Sequence, residues 1–334
     1  MIADARPLQS EFVPGDVRHR DGEVDALTSG LQPITVGRKT DPVLLYGPSG
    51  TGKTCIARYA VDRLRKEVVD LDTQYVNCWE DYTRFKTLYR VLEGLDRAFD
   101  VHRQSTPRDE LLDRLRDALA DPYVVVLDEV DQLEEKDVLY DLHRTSGLSL
   151  VLIANREEDL FTDLSERLIS RLHTATRIRF DRYGTDELVG ILEDRVRWGL
   201  GEDCIDREQL VRIAEVAAGD ARIAIAILRA AAREADERGL SGIPDDLIEE
   251  SIPEAKAEIR QTHVQKLTDH QRTLYDIIVE RVKVAPGELY EAYCDRVDDP
   301  KSRRMMRNHL QKMQRYNLIR ADGQSRNRTY SPVS

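Results

Sequence analysis

Long hydrophobic segments are absent from this chain of 334 residues. No apolar run approaches the roughly 18 residues that a transmembrane helix needs, so we expect neither a membrane span nor a membrane partner. Residues 1–6 lack the apolar core of a secretory signal. Cysteine is scarce as well, and no pair has metal-ligand spacing. Because a disulfide framework is therefore not expected, a reduced, cytoplasmic setting fits best.

Lysine is also scarce, because arginine supplies 40 of the 50 basic residues. The 62 acidic residues give a net charge of −12, which taken alone argues against a nucleic-acid partner. Abundant acid with little lysine predicts a protein that works in concentrated salt. The charge is uneven, however: residues 263–334 carry 14 Lys and Arg against 9 Asp and Glu. An acidic body followed by a basic C-terminal segment is the asymmetry that a function must explain.

A complete phosphate-binding motif stands near the N-terminus, between a strand-like and a helix-like segment. It reads Gly47, Pro48, Ser49, Gly50, Thr51, Gly52, Lys53 and Thr54. The glycines allow several N–H groups to point at one phosphate, and the following helix adds the positive end of its dipole. Lys53 is expected to reach the β- and γ-phosphates and the Thr54 hydroxyl to bind Mg²⁺. The motif predicts ATP or ADP with Mg²⁺ as cofactors.

Polar residues follow two later apolar segments, which we predict to be central strands of a parallel sheet. The apolar residues 123–127 run directly into Asp128 and Glu129, and residues 148–154 run into Asn155. In α/β folds, ligands bind at the carboxyl ends of such strands. We expect Asp128 to hold Mg²⁺, directly or through water, and Glu129 to polarise the attacking water. Asn155 is expected to orient water near the γ-phosphate, whereas an exposed acidic turn is the alternative for the two carboxylates.

Three kinds of pattern divide the chain into three predicted domains. Residues 1–182 alternate short apolar strands with helical segments, which predicts an α/β fold with a parallel sheet. Residues 183–260 repeat apolar positions at helical spacing without strands, which predicts an all-helical domain. Residues 261–334 are predicted to form three helices, the third over 301–317, and then a hairpin, which is the layout of a winged helix.

Two segments of the first domain leave alternatives open. The spaced apolar residues of 23–34 predict a helix, and this N-terminal arm either packs on the core or lies against the nucleotide base. A further helix is predicted over 82–99, with Phe85, Leu88 and Leu92 on one face. Its basic surroundings are either a solvated helix surface or a contact to DNA.

Arginine is concentrated on the third predicted helix of the C-terminal domain. A helix-turn-helix places its recognition helix in the major groove, where Arg pairs with guanine and Asn with adenine. The predicted contacts to double-stranded DNA are Arg303, Arg304, Arg307, Asn308 and Lys312. Arg326 and Arg328, in the wing, are expected to reach the backbone or the minor groove. The alternative is a solvated basic helix in a protein–protein winged helix.

The motifs together resemble those of an AAA+ ATPase, with the helical domain as its lid. With the winged helix added, nearly the whole chain resembles the archaeal replication initiators of the origin-recognition-complex type. The residues that carry this resemblance, besides the phosphate-binding motif, are Phe12-Val13-Pro14, His19-Arg20, Val126 to Asp131, Asn155, the Arg167 segment ending in Phe180-Asp181-Arg182-Tyr183, and Gly219 to Ile225.

The resemblance implies a role for each matching residue. Phosphates are bound by Gly50 to Thr54 with Cys55. Asn155 and Arg222 are similar to the first and second sensors of the γ-phosphate. Tyr183 and Arg195 sit where family members line the nucleotide pocket from the lid. Arg167 looks like the arginine that completes a neighbouring subunit's site, and residues 82–99 fall at the family's DNA-binding insertion.

The function that the resemblance implies is ATP-dependent initiation of DNA replication. Such a protein binds origin DNA, helps recruit or load the replicative helicase, acts with other initiator copies, and hydrolyses ATP slowly as a switch. Two alternatives stay open, an ATP-responsive DNA-binding regulator and an AAA+ DNA motor. Steady, DNA-stimulated ATP turnover with strand movement would favour the motor.

Overall fold

The computed structural model describes residues 1–102, 106–161, 164–323 and 327–333. Within it the chain forms two compact units, Met1–Ser251 and Ile252–Ser334. The first unit contains the predicted α/β domain and most of the predicted all-helical domain. The second contains the C-terminal helices and hairpin. The finer boundaries at residues 182 and 260 stay predictions.

A five-stranded sheet forms the centre of the first unit. Its strands are β1 (Val43–Tyr46), β2 (Asp72–Asn77), β3 (Tyr123–Asp128), β4 (Leu148–Ala154) and β5 (Thr176–Arg179). They lie in the order β2-β3-β4-β1-β5, and every pairing is parallel. All residues of β3 and β4 are buried, because helices cover both faces of a parallel sheet. The predicted α/β fold with a parallel sheet is thereby confirmed, and the carboxyl ends of β1, β3 and β4 are neighbours at one edge.

Helices pack on both faces of this sheet. They are α1 (Asp21–Leu31), α2 (Lys53–Glu67), α3 (Arg84–Glu93), α4 (Arg108–Ala118), α5 (Asp137–Arg144), α6 (Glu157–Phe161) and α7 (Glu166–Leu172), with 3₁₀ turns at Arg6–Leu8, Gln32–Val36 and Val130–Gln132. One apolar core contains side chains of α1 and α2, and a second contains side chains of α3 to α7. Neighbouring residues of β1 alternate between them: Leu44 belongs to the second core and Leu45 to the first.

The helix predicted over 82–99 is too long. The Thr83 side chain accepts a hydrogen bond from the Lys86 N–H and caps α3, which ends at Glu93. Gly94 follows, and Asp96 then has a left-handed φ of 54° that no helix can continue. Leu88 and Leu92 are buried as the helical spacing predicts, whereas Phe99 lies beyond the helix and is 88% exposed.

The rest of the first unit is helical, with α8 (Thr185–Gly199), α9 (Arg207–Ala217), α10 (Ala221–Glu237) and the start of α11 (Asp245–Gln265). We call α8, α9 and α10 the lid helices. The Asp220 carboxylate accepts hydrogen bonds from the N–H groups of Arg222 and Ile223 and thereby caps α10. The all-helical character predicted for this segment is confirmed.

The second unit begins within α11 and continues with three further helices followed by a hairpin. These are α12 (Asp269–Arg281), α13 (Pro286–Arg296), α14 (Arg303–Arg315) and the antiparallel strands β6 (Ile319–Asp322) and β7 (Thr329–Pro332). An isolated bridge between Val284 and Tyr330 adds a third short segment beside β7. This order of elements is the one that the winged-helix prediction requires.

In the parts of the chain that the structure describes, no helix combines the length and the apolar character needed to cross a bilayer.

Candidate nucleotide site and candidate DNA interface

The loop between β1 and α2 has the shape of a phosphate cradle. Gly50 and Gly52 have φ values of 77° and 91°, which non-glycine residues rarely adopt. Space is equally restrictive, since a Cβ at Gly50 would lie 1.9 Å from Oδ1 of Asp220 and one at Gly52 would lie 2.5 Å from the Tyr183 hydroxyl oxygen. The glycines are therefore required by conformation and by the close approach of the residues around the lid.

Lys53 begins α2 and is turned back onto this loop. Its Nζ donates hydrogen bonds to the carbonyl oxygens of Gly47 at 2.6 Å and Pro48 at 2.7 Å, and it lies 3.4 Å from Oδ1 of Asn155. Burial lowers the pKa of Lys53 to about 8, while the charge of Asp128 acts in the opposite direction. Lys53 therefore stands where a polyphosphate would supply the negative charge that its ammonium group needs.

Asp128, at the carboxyl end of β3, is held by three hydrogen bonds. Its Oδ2 accepts one from the Thr54 hydroxyl at 2.6 Å and one from the Tyr75 hydroxyl at 2.7 Å. Its Oδ1 accepts one from the Glu129 N–H at 2.8 Å. Burial and the neighbouring Asp128 charge raise the pKa of Tyr75, which keeps its hydroxyl a donor at neutral pH. Glu129 has a left-handed φ of 55°, a backbone strain that is frequent at functional sites.

The start of α10 meets the phosphate loop directly. The Ala221 N–H donates to the Gly50 carbonyl oxygen at 3.0 Å. Arg222 donates a hydrogen bond from Nη2 to the Ser49 hydroxyl oxygen. Two cationic side chains, Lys53 and Arg222, therefore converge on one loop from the sheet side and the lid side.

Arg195 on α8 and Tyr183 approach the same space from the lid. Arg195 is only 6% exposed, and its Nη1 donates to the Pro7 carbonyl oxygen at 2.7 Å. Its guanidinium carbon lies 4.9 Å from the centre of the Phe12 ring. Burial lowers the pKa of Arg195 and raises the pKa of the Cys55 thiol. The N-terminal arm is thereby fastened to α8 beside the cavity.

These groups surround one cavity with a volume of about 190 Å³. The predicted residues that line it are Ser49, Gly50, Thr51, Gly52, Lys53, Thr54, Cys55, Asp128, Glu129, Asn155, Tyr183, Arg195 and Arg222. Gly47 and Pro48, at the start of the loop, are not among the lining residues, and their carbonyl oxygens accept hydrogen bonds from Lys53. Arg167, on α7, is exposed and lies outside the set of residues that line the cavity.

Several residues that line the cavity were not predicted from the sequence. On α8 they are Ile191 and Trp198, which lie four and three residues from Arg195, and Asp194, which lies three residues from Ile191 and four from Trp198. Helical spacing from Arg195 could have found Ile191 and Trp198. In the N-terminal arm they are Ser10, Phe12, Pro14, Asp16, Val17 and Arg18. Two alternatives were open for this arm, packing on the core or lying against the nucleotide base. Leu27 and Leu31 of α1 pack in the core, whereas residues 10–18 include those that line the cavity.

The donor set around Asp128 fits Mg²⁺ coordinated jointly with a phosphate. Thr54 and Asp128 provide hard oxygen donors 2.6 Å apart beside Lys53. Across the described ranges, no group of three His, Cys, Asp or Glu residues could hold a metal alone. Mg²⁺ prefers one or two protein oxygens supplemented by water and phosphate oxygens, so two protein donors suffice here.

The second unit presents most of the predicted DNA contacts on α14. Arg303, Arg304, Arg307 and Asn308 are exposed on this helix, and Arg328 is exposed before β7. The guanidinium carbon of Arg303 lies 4.4 Å from the centre of the Tyr290 ring of α13. Arg326 lies outside the described residues.

The prediction that Lys312 contacts DNA is wrong for this structure, because Lys312 is only 6% exposed. Met306, Leu310 and Met313 form one buried face of α14. A second stripe runs through His309, Lys312 and Tyr316 at helical spacing. Burial lowers the pKa of His309 to about 4, and Tyr316 is 5% exposed. The covered surface of α14 is therefore broader than one stripe, and Lys312 belongs to it.

Comparison with known proteins supplies the family. The description "AAA domain" matches residues 38–160, and "Cdc6 AAA+ ATPase-type lid domain" matches residues 189–253. The chain is 57% identical over 308 residues to "ORC1-type DNA replication protein 1" of Halobacterium salinarum, which covers 92% of this chain and 100% of that relative. The chain belongs to the ORC1-type DNA replication protein family. The predicted AAA+ domain and lid are thereby confirmed, as is the resemblance to replication initiators.

Solved structures show that this ORC1-type chain shares its fold with distant proteins. The Aeropyrum pernix ORC1 protein, in a complex with DNA, matches with a TM-score of 0.80 at 24% identity, covering 100% of this chain and 94% of that one. The Aeropyrum pernix ORC2 protein, in ADPNP–ADP complexes, matches with a TM-score of 0.69 at 22% identity, covering 99% and 94%.

Proposed function

We propose that this ORC1-type protein is an ATP-dependent initiator of DNA replication. It binds double-stranded origin DNA and helps recruit or load the replicative helicase, with ATP as a slowly hydrolysed switch. The observation that carries this proposal is the direct contact of the lid with the phosphate loop, through Arg222 to Ser49 and Ala221 to Gly50. A ligand that enters between these groups must change how the lid sits on the sheet.

ATP and ADP are the ligands that this site fits. The N–H groups of Gly50 to Thr54 and the α2 N-terminus bind the phosphates, and Lys53 exchanges its two carbonyl partners for the β- and γ-phosphates. Thr54 and Asp128 hold Mg²⁺, which neutralises phosphate charge when bound. Arg195 and Tyr183 border the rest of the nucleotide. The nucleotide complexes of the Aeropyrum pernix ORC2 protein support this assignment.

The polar groups that line the cavity support ATP hydrolysis, and slow turnover is the rate proposed for a single copy. Glu129 takes the proton of the attacking water, Asn155 orients that water, and Arg222 stabilises charge on the γ-phosphate. Arg167 is exposed and outside the cavity, and the role proposed for it, from the resemblance to the family, is to act on the site of a neighbouring initiator copy. An arginine supplied in this way accelerates phosphoryl transfer by factors on the order of 10³–10⁵ in systems that use one. A lone copy lacks that contribution.

DNA is the partner of the second unit. Arg303, Arg304, Arg307 and Asn308 on α14 read the major groove, while Arg328 in the wing contacts the backbone or the minor groove. These side chains are exposed on a basic segment of an otherwise acidic protein. The structure of the Aeropyrum pernix ORC1 protein with DNA supports this role. Contacts by the α3 region would add to it.

Footprinting on genomic DNA in molar KCl tests the proposal. We expect protection of a small number of discrete sites, with a pattern that changes between ATP and ADP, and loss of that nucleotide response in Lys53→Ala. A regulator would instead protect sites near promoters without recruiting helicase in a pull-down. Rapid, DNA-stimulated turnover with strand displacement would identify a motor and overturn the switch.

A further inference from the structure

The Asp128 carboxylate has a partner that lies outside every nucleotide motif of the chain. Tyr75 is on β2, 53 residues before Asp128, and its hydroxyl donates to Oδ2 at 2.7 Å. The same oxygen accepts from Thr54 at 2.6 Å. In the register of the two strands Tyr75 lies opposite Val126, two residues before Asp128. The tyrosine ring therefore spans two residues along the sheet to reach the carboxylate.

The Tyr75 ring is itself held in place from α2. The guanidinium carbon of Arg58 lies 4.2 Å from the ring centre, a distance at which a cation is attracted to the aromatic face. Arg58 follows Thr54 by one helical turn on the same helix. The helix that carries the phosphate loop thus holds both Thr54 and, through Arg58, the tyrosine that contacts the same carboxylate oxygen.

Two donors on one oxygen restrict how the carboxylate can turn. Oδ2 accepts hydrogen bonds from two hydroxyls, and Oδ1 accepts one from the Glu129 N–H. Because Thr54 and Tyr75 hold Oδ2 in place, the carboxylate cannot rotate freely. The lone pairs of Oδ1 that are not used by Glu129 therefore keep one orientation. Groups that hydrogen-bond to metal ligands commonly set the orientation of those ligands and thereby the affinity for the metal.

We propose that Tyr75, braced by Arg58, is a positioning residue for the Mg²⁺ that Thr54 and Asp128 bind with the nucleotide. Tyr75 does not touch the metal or the phosphates. It fixes the rotation of the Asp128 carboxylate before Mg²⁺ arrives, so that no ordering of this side chain is required on binding. This inference rests on the proposed nucleotide site.

Tyr75→Phe tests the inference, because it removes only the hydroxyl. A fluorescent ATP analogue is titrated into the full-length protein, first with EDTA and then at fixed nucleotide with increasing Mg²⁺. We expect unchanged nucleotide affinity in EDTA and a Mg²⁺ half-saturation concentration raised about tenfold to a hundredfold. Neither quantity requires hydrolysis.

Tyr123→Phe is the matched control. Tyr123 on β3 also loses a buried hydroxyl hydrogen bond, to the Val91 carbonyl oxygen at 2.6 Å, but that bond lies in the core that α3 to α7 form. We expect this variant to lower the unfolding temperature without moving the Mg²⁺ titration. A second variant, Arg58→Gln, keeps the Tyr75 hydroxyl and removes the cation over its ring, and a smaller rise, of about twofold to fivefold, is expected.

The outcomes separate this inference from the proposal beneath it. If the wild-type protein binds no nucleotide, the proposed nucleotide site is wrong. If it binds nucleotide with a Mg²⁺ dependence that Tyr75→Phe and Arg58→Gln leave unchanged, the site stands and the role of Tyr75 is overturned. An equal shift in Tyr123→Phe would also overturn it, since a general loss of stability would then explain the effect.

Discussion

Arg222 on α10 donates a hydrogen bond to the Ser49 hydroxyl oxygen of the phosphate loop. The two residues are separated by 173 positions in the sequence. The carboxylate of Asp220, which caps α10, lies so close to the loop that only a glycine fits at position 50. The cap of a lid helix and the phosphate cradle are therefore one packed unit, and a change in either must affect the other.

Gly50→Ala is expected to weaken nucleotide binding and to lower stability. A Cβ there would lie 1.9 Å from Oδ1 of Asp220, in a backbone conformation with φ of 77°. Gly239→Ala is the matched control, because its φ is 68° and nothing lies within 4 Å of the new Cβ. The control should lose only the roughly 1–2 kcal/mol of left-handed strain. Thermal unfolding and nucleotide titration of both variants measure the difference. Equal losses of stability and of nucleotide affinity in the two variants would contradict the conclusion that the α10 cap and the phosphate loop form one packed unit.

Nucleotide affinity should fall as the pH rises above about 8. The pKa of Lys53 is lowered to about 8 in the nucleotide-free protein because the ammonium group is buried. A polyphosphate binds the charged form, so each pH unit above 8 reduces the affinity by up to about tenfold. Binding should then be accompanied by proton uptake, which calorimetry in two buffers detects.

The same lowered pKa of Lys53 determines whether the free energy of unfolding rises or falls with pH. Unfolded Lys53 keeps its proton up to about pH 10.4, whereas the folded, nucleotide-free protein loses it near pH 8. Between these values the unfolded state binds more protons, so the free energy of unfolding rises with pH. Lys53→Arg, which stays charged throughout, should flatten both profiles. A wild-type affinity that does not change from pH 7 to 9 would rule out this account.

Glu129→Gln should bind ATP and fail to hydrolyse it. The side chain lines the cavity next to the Asp128 carboxylate, and an amide cannot accept the proton of the attacking water. Lys53→Ala is the contrasting variant, which we expect to lose ATP binding altogether. Radiolabelled ATP in filter binding and single-turnover assays distinguishes the two. Normal turnover in Glu129→Gln would remove this residue from the role of base.

The elements that could be predicted from the sequence are those with local signals. An apolar run that ends in Asp128 and Glu129 fixes a buried strand and the position of its acidic end, and the glycine motif fixes the cradle. Tyr75 carried no such signal, because its hydroxyl meets Asp128 only through the pairing of β2 with β3. The prediction that Lys312 is a surface residue failed for a related reason. Its charge predicted exposure, whereas its burial depends on the tertiary packing that covers the second stripe of α14.

High salt should stabilise this protein. Residues before 263 carry a net charge of −17, and repulsion among them is screened when the Debye length falls to about 3 Å at molar ionic strength. We expect the unfolding temperature to rise from dilute buffer to molar KCl. Sucrose at matched osmolality is the control, since it strengthens burial without screening charge. Better retention of fold and activity at low salt would contradict the composition argument.

Arg303→Gln should weaken specific DNA binding by about 1–3 kcal/mol if its guanidinium reads a guanine edge. Tyr290 holds that guanidinium at the start of α14, so Tyr290→Leu should produce part of the same loss. Arg281→Gln is the charge-matched control, because this exposed residue ends α12 and lies outside α14. Lys312→Ala should lower the unfolding temperature and leave the salt dependence of DNA binding unchanged, since its side chain is buried. Binding isotherms at several KCl concentrations test all four variants, and a loss in Arg281→Gln as large as in Arg303→Gln would show that total charge alone governs binding, not the recognition face of α14.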